Sequence, residues 1–290
     1  GPACPDGLRR GAGVWRPAVR RVAVGQPAKL KVRLEDAEGG ARPGLTVDVA
    51  VADEEGNAVA SGQATDEGSG EYSFDAGAPT RPRRWTVTWS PASGPAVETY
   101  ADIVARRYAS VAALRETRDL DNIDASTLDR RRTEAAALFE DFCGTAWTKK
   151  YGEVRAPVEA DGSLWPGVAP VREIRSAVTA AGDTVDVSDW TADDAHFDTG
   201  RDGGELLDAG FVYGEDRMPA DLFAQFLVYV RYLTLGANSD VPDRATSFSV
   251  EGGTFEINQA GAGKPTGLPE VDAALRRHQR APVAAAAGIA

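Results

Sequence analysis

The imidazoles and thiols that could do chemistry in this chain are few: two histidines and two cysteines. His196 stands in DDAHFD with Asp193, Asp194 and Asp198 beside it, and imidazole with carboxylates is a donor set for a divalent cation. Neighbours on a short strand face opposite ways, and carboxylates in a turn are ordinarily solvated, so the cluster reads first as a solvent-facing turn. His278, in RRHQR, reads as an exposed or interfacial helix residue. Cys4 and Cys143 are far apart in sequence, which supports neither a disulfide framework nor a zinc site. GAGKPT, at 261–266, has Pro265 where a phosphate loop needs Ser or Thr after its lysine, and Asn258 where the first glycine belongs. DTGRDGGE, at 198–205, puts Gly200 at the third ligand position of a calcium loop and has Ala209 or Gly210 where the twelfth-position Glu belongs. Ser69, in EGSGE, lacks the spacing of a nucleophile elbow. The expectation is a protein that is no enzyme and needs no metal or cofactor.

The totals agree with a chain that works through its surfaces. Hydrophobic residues at 42% and charged residues at 26% of 290 fit a globular protein long enough for two cores. The net charge of −12 is uneven: residues 1–105 hold 12 Lys+Arg against 14 Asp+Glu, and residues 106–290 hold 20 against 30. Such a balance argues against gripping a phosphate backbone, because affinity there comes from basic side chains displacing counterions. The start, GPACPDGLRR, has no apolar central run, so secretion is not expected.

Period-two alternation with frequent turn residues predicts strands over 20–24, 29–35, 46–51, 58–64, 70–74, 85–89 and 97–104. In the second, Leu30, Val32 and Leu34 alternate with Lys29, Lys31 and Arg33, one face for a core and one for water. Turns are expected at Glu38-Gly39-Gly40, Glu55-Gly56-Asn57 and Asp66-Glu67-Gly68. Seven short strands at this spacing read as a β-sandwich, with Trp85 and Trp89 sharing the core face. GEYSFDAG at 70–77 followed by WTVTW at 85–89 resembles the late strands of bacterial and phage Ig-like domains. That resemblance implies a surface or adhesive role, against which stands the plainer one of a spacer.

Beyond 105 the period changes to that of helices. Helices are expected over about 110–120 (capped by Ser110), 127–142 (capped by Asp124 or Ser126 and ended by Gly144), 219–235 and 269–280. The third is the strongest signal: Leu222, Phe223, Phe226, Leu227, Val230 and Leu233 make a wide apolar stripe in MPADLFAQFLVYVRYLTLG. Pro219 should open it and Gly236 close it in the left-handed conformation. Tyr229 and Tyr232 are expected on its wet flank, and Glu140 with the Arg130-Arg131-Arg132 triplet on the wet face of the second helix. Between lies a β insertion, about 154–212, with one hairpin turning at Ala181-Gly182-Asp183 and a second at 199–204. SFSVEGGTFEI, 247–257, should form a further strand pair.

The predicted fold class is therefore two domains, an N-terminal all-β Ig-like sandwich (1–105) and a C-terminal α+β unit (106–290) of helices with inserted β-hairpins and a frayed tail. The order of blocks in the second resembles the head-to-tail adaptor, or head completion, proteins of long-tailed bacteriophages. It is carried by PVREIRSAV (170–178) with DVSDW (186–190), MPADLFAQFLVYVRYLTLG (218–236), PDRATSFSVEGGTFEI (242–257) and PTGLPEVDAALRRH (265–278). What the resemblance implies is a neck component of the virion, made in the bacterial host cytoplasm. It would form a ring, commonly of twelve copies, under the portal protein, leading into the next neck protein and surrounding DNA that passes without sequence recognition. No membrane partner is expected.

Contact residues follow from that picture. The segment 260–267 with the last helix reads as an amphipathic helix on a tether, placing Leu268, Pro269, Val271, Leu275, Arg276, Arg277 and His278 at a portal or neighbour interface. Its other reading is a helix folded back on its own domain. Val171, Ile174, Trp190, Arg130 and Arg131 are the candidates for contacts between copies, which in a closed ring join two different patches. Free protein is expected to be monomeric or weakly associated. A competing class is a virion surface binding protein acting through the Ig-like domain, and a third, a hydrolase, would depend on His196 or His278.

Overall fold

The alternation seen at the start of the chain builds a sandwich. The computed structural model describes residues 20–236, 247–250, 253–256 and 265–280. Strands β1 (Arg20–Ala23), β2 (Lys29–Arg33), β3 (Val47–Ala52), β4 (Ala58–Gln63), β5 (Thr65–Gly68), β6 (Glu71–Asp75), β7 (Arg83–Pro91) and β8 (Val97–Val104) form two sheets, ordered β1-β8-β7-β3-β4 and β2-β6-β5. β1 runs parallel to β8, and the other pairs are antiparallel. Leu30 and Val32 point in while Lys29, Lys31 and Arg33 point out, and Trp85 and Trp89 are buried in the core shared by the two sheets. The Tyr72 hydroxyl donates to the Arg42 carbonyl at 2.6 Å and accepts from the Leu45 amide at 2.9 Å, tying down the chain between β2 and β3.

One turn is displaced. The chain does not reverse at 66–68; it continues from β4 into β5, changing sheets, and reverses over Gly68-Ser69-Gly70, all at positive φ. The Asp66 carboxylate accepts from the Gly68 amide two residues on, an Asx turn that leads into the positive-φ run 68–70, and also from the Gly44 amide.

The helices are α1 (Val111–Arg115), α2 (Ala125–Cys143), α3 (Ala220–Leu235) and α4 (Pro269–Arg277). Ser110 accepts from the Ala113 amide, and α1 is shorter than expected, with Asp119 at positive φ before Leu120 turns inward. Asp124 rather than Ser126 caps α2, accepting from the Thr127 amide, and Gly144 ends it at φ 65°. Pro219 is the residue before α3. Gly236 is right-handed at φ −62°, because its amide still bonds to the Tyr232 carbonyl and the left-handed closure is not needed. Phe139, Phe226, Leu222, Val230, Val271 and Leu275 interlock α2, α3 and α4, with Phe139 and Phe226 edge to face at 5.5 Å. Each such side chain contributes about 1.5–3 kcal/mol by leaving water. Of the two tyrosines, Tyr229 joins this core and only Tyr232, at 48% exposure, stays wet.

The insertion comprises β9 (Lys150–Pro157), β10 (Ser163–Leu164), β11 (Val171–Thr179), β12 (Thr184–Val185), β13 (Thr191–Asp193), β14 (His196–Asp198) and β15 (Leu206–Tyr213). They form sheets ordered β12-β11-β15-β9 and β10-β14-β13. The hairpin at Gly182 is present, but residues 199–204 make no hairpin. β14 pairs with β10 and β13, whereas β15 lies between β11 and β9, an arrangement that covers Phe197 and Phe211 on each other. β16 (Ser247–Val250) and β17 (Gly253–Glu256) pair antiparallel. The chain is thus largely β-sheet with a few helices.

Candidate functional site

The residues with chemical potential are held apart. His196 stacks on Trp165 at 4.7 Å in the small sheet. Its acidic neighbours are engaged nearby: Asp194 with Arg280 at 3.1 Å, Asp193 with the Asp194 amide, Asp198 with the Gly200 amide. Among the described residues no three His, Cys, Asp or Glu side chains converge as a metal site would require. His278 sits at the end of α4 with Nε2 2.9 Å from Asp221. Burial pushes the Cys143 thiol up to about 12, far from the range of a nucleophilic cysteine. In the 198–205 turn Glu205 receives Arg201 through two bonds at 2.6 and 2.9 Å. Residues 261–264 of GAGKPT, and with Ala260 most of the 260–267 tether, lie outside the described residues. Thr266, which follows, donates to Asp272 at 2.6 Å, and Asp272 accepts its amide too, fastening the entry to α4.

That fastening changes the reading of the last helix. Val271 and Leu275 are fully buried with Ala274 against α2 and α3, and Leu268 packs beside them. The apolar edge expected to meet another chain is therefore used inside this one, because the stripe of α3 needs a second cover besides α2. Pro269, Arg276 and Arg277 remain at the surface, with Arg277 3.4 Å from Asp221, and His278 is partly covered. Among the residues expected between copies, Val171 is buried, and Ile174 and Trp190 pack partly on the insertion's own core. Arg130 is exposed, while Arg131 pairs with Glu134 at 2.8 Å.

Two features escaped the sequence. Glu140, expected in water, is buried at the meeting of β1, α2 and β9 and is 8% exposed. Arg21 donates to its two oxygens at 2.7 and 2.6 Å, Lys150 reaches it at 3.0 Å, and the Tyr108 hydroxyl also donates to it. Burial alone would raise its pKa, but Lys150 and Arg21 outweigh burial and hold the carboxyl at about 2. Arg132, also expected in water, donates to Asp129 and to the Ala109 carbonyl. Further bonds join the sandwich to the remainder: the Ala105 amide to the Lys149 carbonyl at 2.9 Å, Arg107 to the Arg21 carbonyl, and Arg84 to Glu153 at 3.1 Å. The one sequence hint was that Arg20-Arg21 puts two cations in a four-residue strand, one of which must point inward.

Beside this junction opens a cleft of about 150 Å³. Arg106, Arg107 and Arg217 border it, over a floor of Tyr108, Trp147, Met218 and Phe223. Arg107 is committed to Asp129 and Thr133, whereas Arg106 and Arg217 are exposed. In a chain of net charge −12 this is a concentration of cations over aromatic surface, suited to a carboxylate-bearing segment of another protein.

No family model and no curated protein matches the chain. Among solved structures, a chain from the neck of an empty GTA particle computed with C6 symmetry is similar over 61% of this chain and 91% of its own. Its identity is 17% and the TM-score 0.42. A chain of the ZIG-8–RIG-5 IG1–IG1 heterodimer matches over 32% of this chain and 88% of its own, at 12% identity and a TM-score of 0.21. Both are partial likenesses of backbone, and neither assigns a role. Among the described residues no helix is long and apolar enough to cross a membrane.

Proposed function

We propose that this chain is a structural protein of a phage neck, a ring-forming adaptor that seats on the portal, leads to the next neck protein and surrounds passing DNA. The observation that carries the reading is where the adaptor-like blocks fall. PVREIRSAV is β11, MPADLFAQFLVYVRYLTLG holds α3, and PTGLPEVDAALRRH holds the Thr266–Asp272 latch and α4. α3 and α4 share one core, so two of the blocks are parts of one packed unit. Function then lies in faces and no substrate is transformed; the Cys143 thiol is buried, and His278 is turned to Asp221. An acidic surround favours DNA passage, since like charge discourages adsorption of phosphates.

The test is particle assembly in cells lacking the protein, complemented by the wild-type chain. The expected outcome is DNA-filled heads and free tails that join only on complementation, with the protein imaged at the neck. Complete infectious particles made without it would refute the proposal. Removing residues 1–105 is a poor version of this test, because it takes away Arg21 and leaves Glu140 half-compensated. Exchanging surface residues on β4 leaves that junction intact and asks whether the sandwich contacts a host.

A further inference from the structure

We infer that the Arg106–Arg217 cleft is the socket for the acidic hairpin tip around Asp183 of a neighbouring copy, making the contact between copies head-to-tail and electrostatic. The inference rests on the ring reading above and names the two faces that meet in it.

The four-stranded sheet has two well-separated ends. β15 pairs Tyr213 with Lys150 at one end and Leu206 with Pro157 at the other, seven residue steps that span about 24 Å. The two ends differ in charge. Next to Lys150 and Tyr213 lie Arg106, Arg107, Lys149, Arg172 and Arg217, against Glu140, Glu215 and Asp216, with Asp129 on Arg107. Next to Pro157 and Leu206 lie Glu159, Asp161, Asp183, Asp202, Glu205 and Asp208, against Arg155 and Arg201. The sheet therefore carries cations at one end and acids at the other.

The cationic end is concave and the acidic end protrudes. Burial, opposed by Asp129 and reinforced by the neighbouring cations Arg132, Arg21 and Arg20, brings the Arg107 pKa down to about 9. The tip is Ala180-Ala181-Gly182-Asp183, exposed throughout and held as a tight hairpin. The Thr179 amide bonds to the Asp183 carbonyl at 2.9 Å, and the Asp183 amide to the Thr179 hydroxyl at 3.2 Å. Two small apolar side chains followed by a carboxylate match a notch with Met218 and Phe223 in its floor and guanidinium groups on its rim. The rigid hairpin lies at the far end of the same sheet and cannot fold back into its own chain's cleft. Complementary patches set apart on one molecule make heterologous contacts, the kind that close rings. A phosphate backbone suits the site less well, since it needs an extended basic track and this one is a single notch in an acidic chain.

The test uses exposed residues, so folding is not at stake. In a full-length Cys4→Ser background, cysteines introduced as Arg217→Cys in one preparation and Asp183→Cys in another should give disulfide-linked 183–217 dimers on mixing and oxidation at low salt, in excess of the dimers that either preparation gives alone. The separate charge reversals Arg217→Glu and Asp183→Arg should each weaken self-association at least tenfold by sedimentation, and the chain carrying both should regain it. No cross-link in concentrated mixtures, or no recovery in the doubly reversed chain, overturns the inference. Retardation of labelled duplex DNA that is lost in Arg217→Glu overturns it in favour of a phosphate ligand, and capture of a different neck protein by the cleft overturns the choice of occupant. The ring reading fails separately: a chain absent from particle necks refutes it, whereas Arg217→Glu assembling normally into necks removes only this interface.

Discussion

Replacing Glu140 by Gln keeps the side chain's volume and removes its charge. Two cations, the buried Arg21 and the largely covered Lys150, then lose the carboxylate that lies within 3.0 Å of both. Breaking a buried pair by removing one partner costs about 3–5 kcal/mol, most of it the uncompensated charge left behind. The depressed pKa gives an independent estimate. A carboxyl held at about 2 against an unfolded value of about 4.3 contributes about 3 kcal/mol at neutral pH. Because the folded value lies below the unfolded one, that contribution is present above the unfolded pKa and fades as pH falls toward 2. About 2 kcal/mol of it is gone by pH 3. Chemical denaturation followed by circular dichroism at pH 7 and pH 3 measures both effects. The Glu140→Gln chain should be less stable by about 3–5 kcal/mol at pH 7, and its stability should fall less between the two pH values than that of the parent. A parent and variant within about 1 kcal/mol at pH 7 would show that the Glu140 charge does not hold this junction together. Converting Arg21, Glu140 and Lys150 together to apolar residues of similar size should recover most of the loss, since no buried charge is then left alone.

Other outcomes follow from the packing. Leu275→Ala and Val271→Ala should each destabilise the chain, Leu275→Ala by about 2–5 kcal/mol in thermal or urea unfolding, because α4 is core; a cost below about 0.5 kcal/mol would return the helix to the surface. Gly70→Val should cost at least about 1–3 kcal/mol, since Gly70 has φ 78° and a Cβ there would sit 2.9 Å from the Arg42 nitrogen and the Leu34 oxygen. Cys143 should resist a thiol reagent at neutral pH in the native chain and react once the chain is unfolded, as its burial and raised pKa require; rapid native labelling at Cys143, mapped apart from Cys4 by peptide mass, would contradict this.

Local pattern alone settled what depends on neighbours in the chain. The alternation of Leu30 and Val32 with lysines made a strand, the stripe from Leu222 to Val230 made α3, and Ser110 and Asp124 placed two caps within three residues of the amides they receive. These signals have periods of two or 3.6 residues and need no partner to be read. Tertiary structure decided the rest. The change of sheet between β4 and β5 turned on pairing with β3 for one and β6 for the other, and the missing second hairpin on a competition among strands that periodicity does not rank. α4 was legible as amphipathic, but only packing could say that its apolar edge closes this core and leaves Arg276 and Arg277 at the surface. The junction of Arg21 with Glu140 spans 119 residues, and no periodic signal joins positions so far apart. The same holds for the opposed charges of the four-stranded sheet, where side chains from distant loops meet only because β9, β11 and β15 lie in register. Sequence sets the inclination of each segment, and the requirement that every buried face and charge find its complement chooses among the ways to combine them.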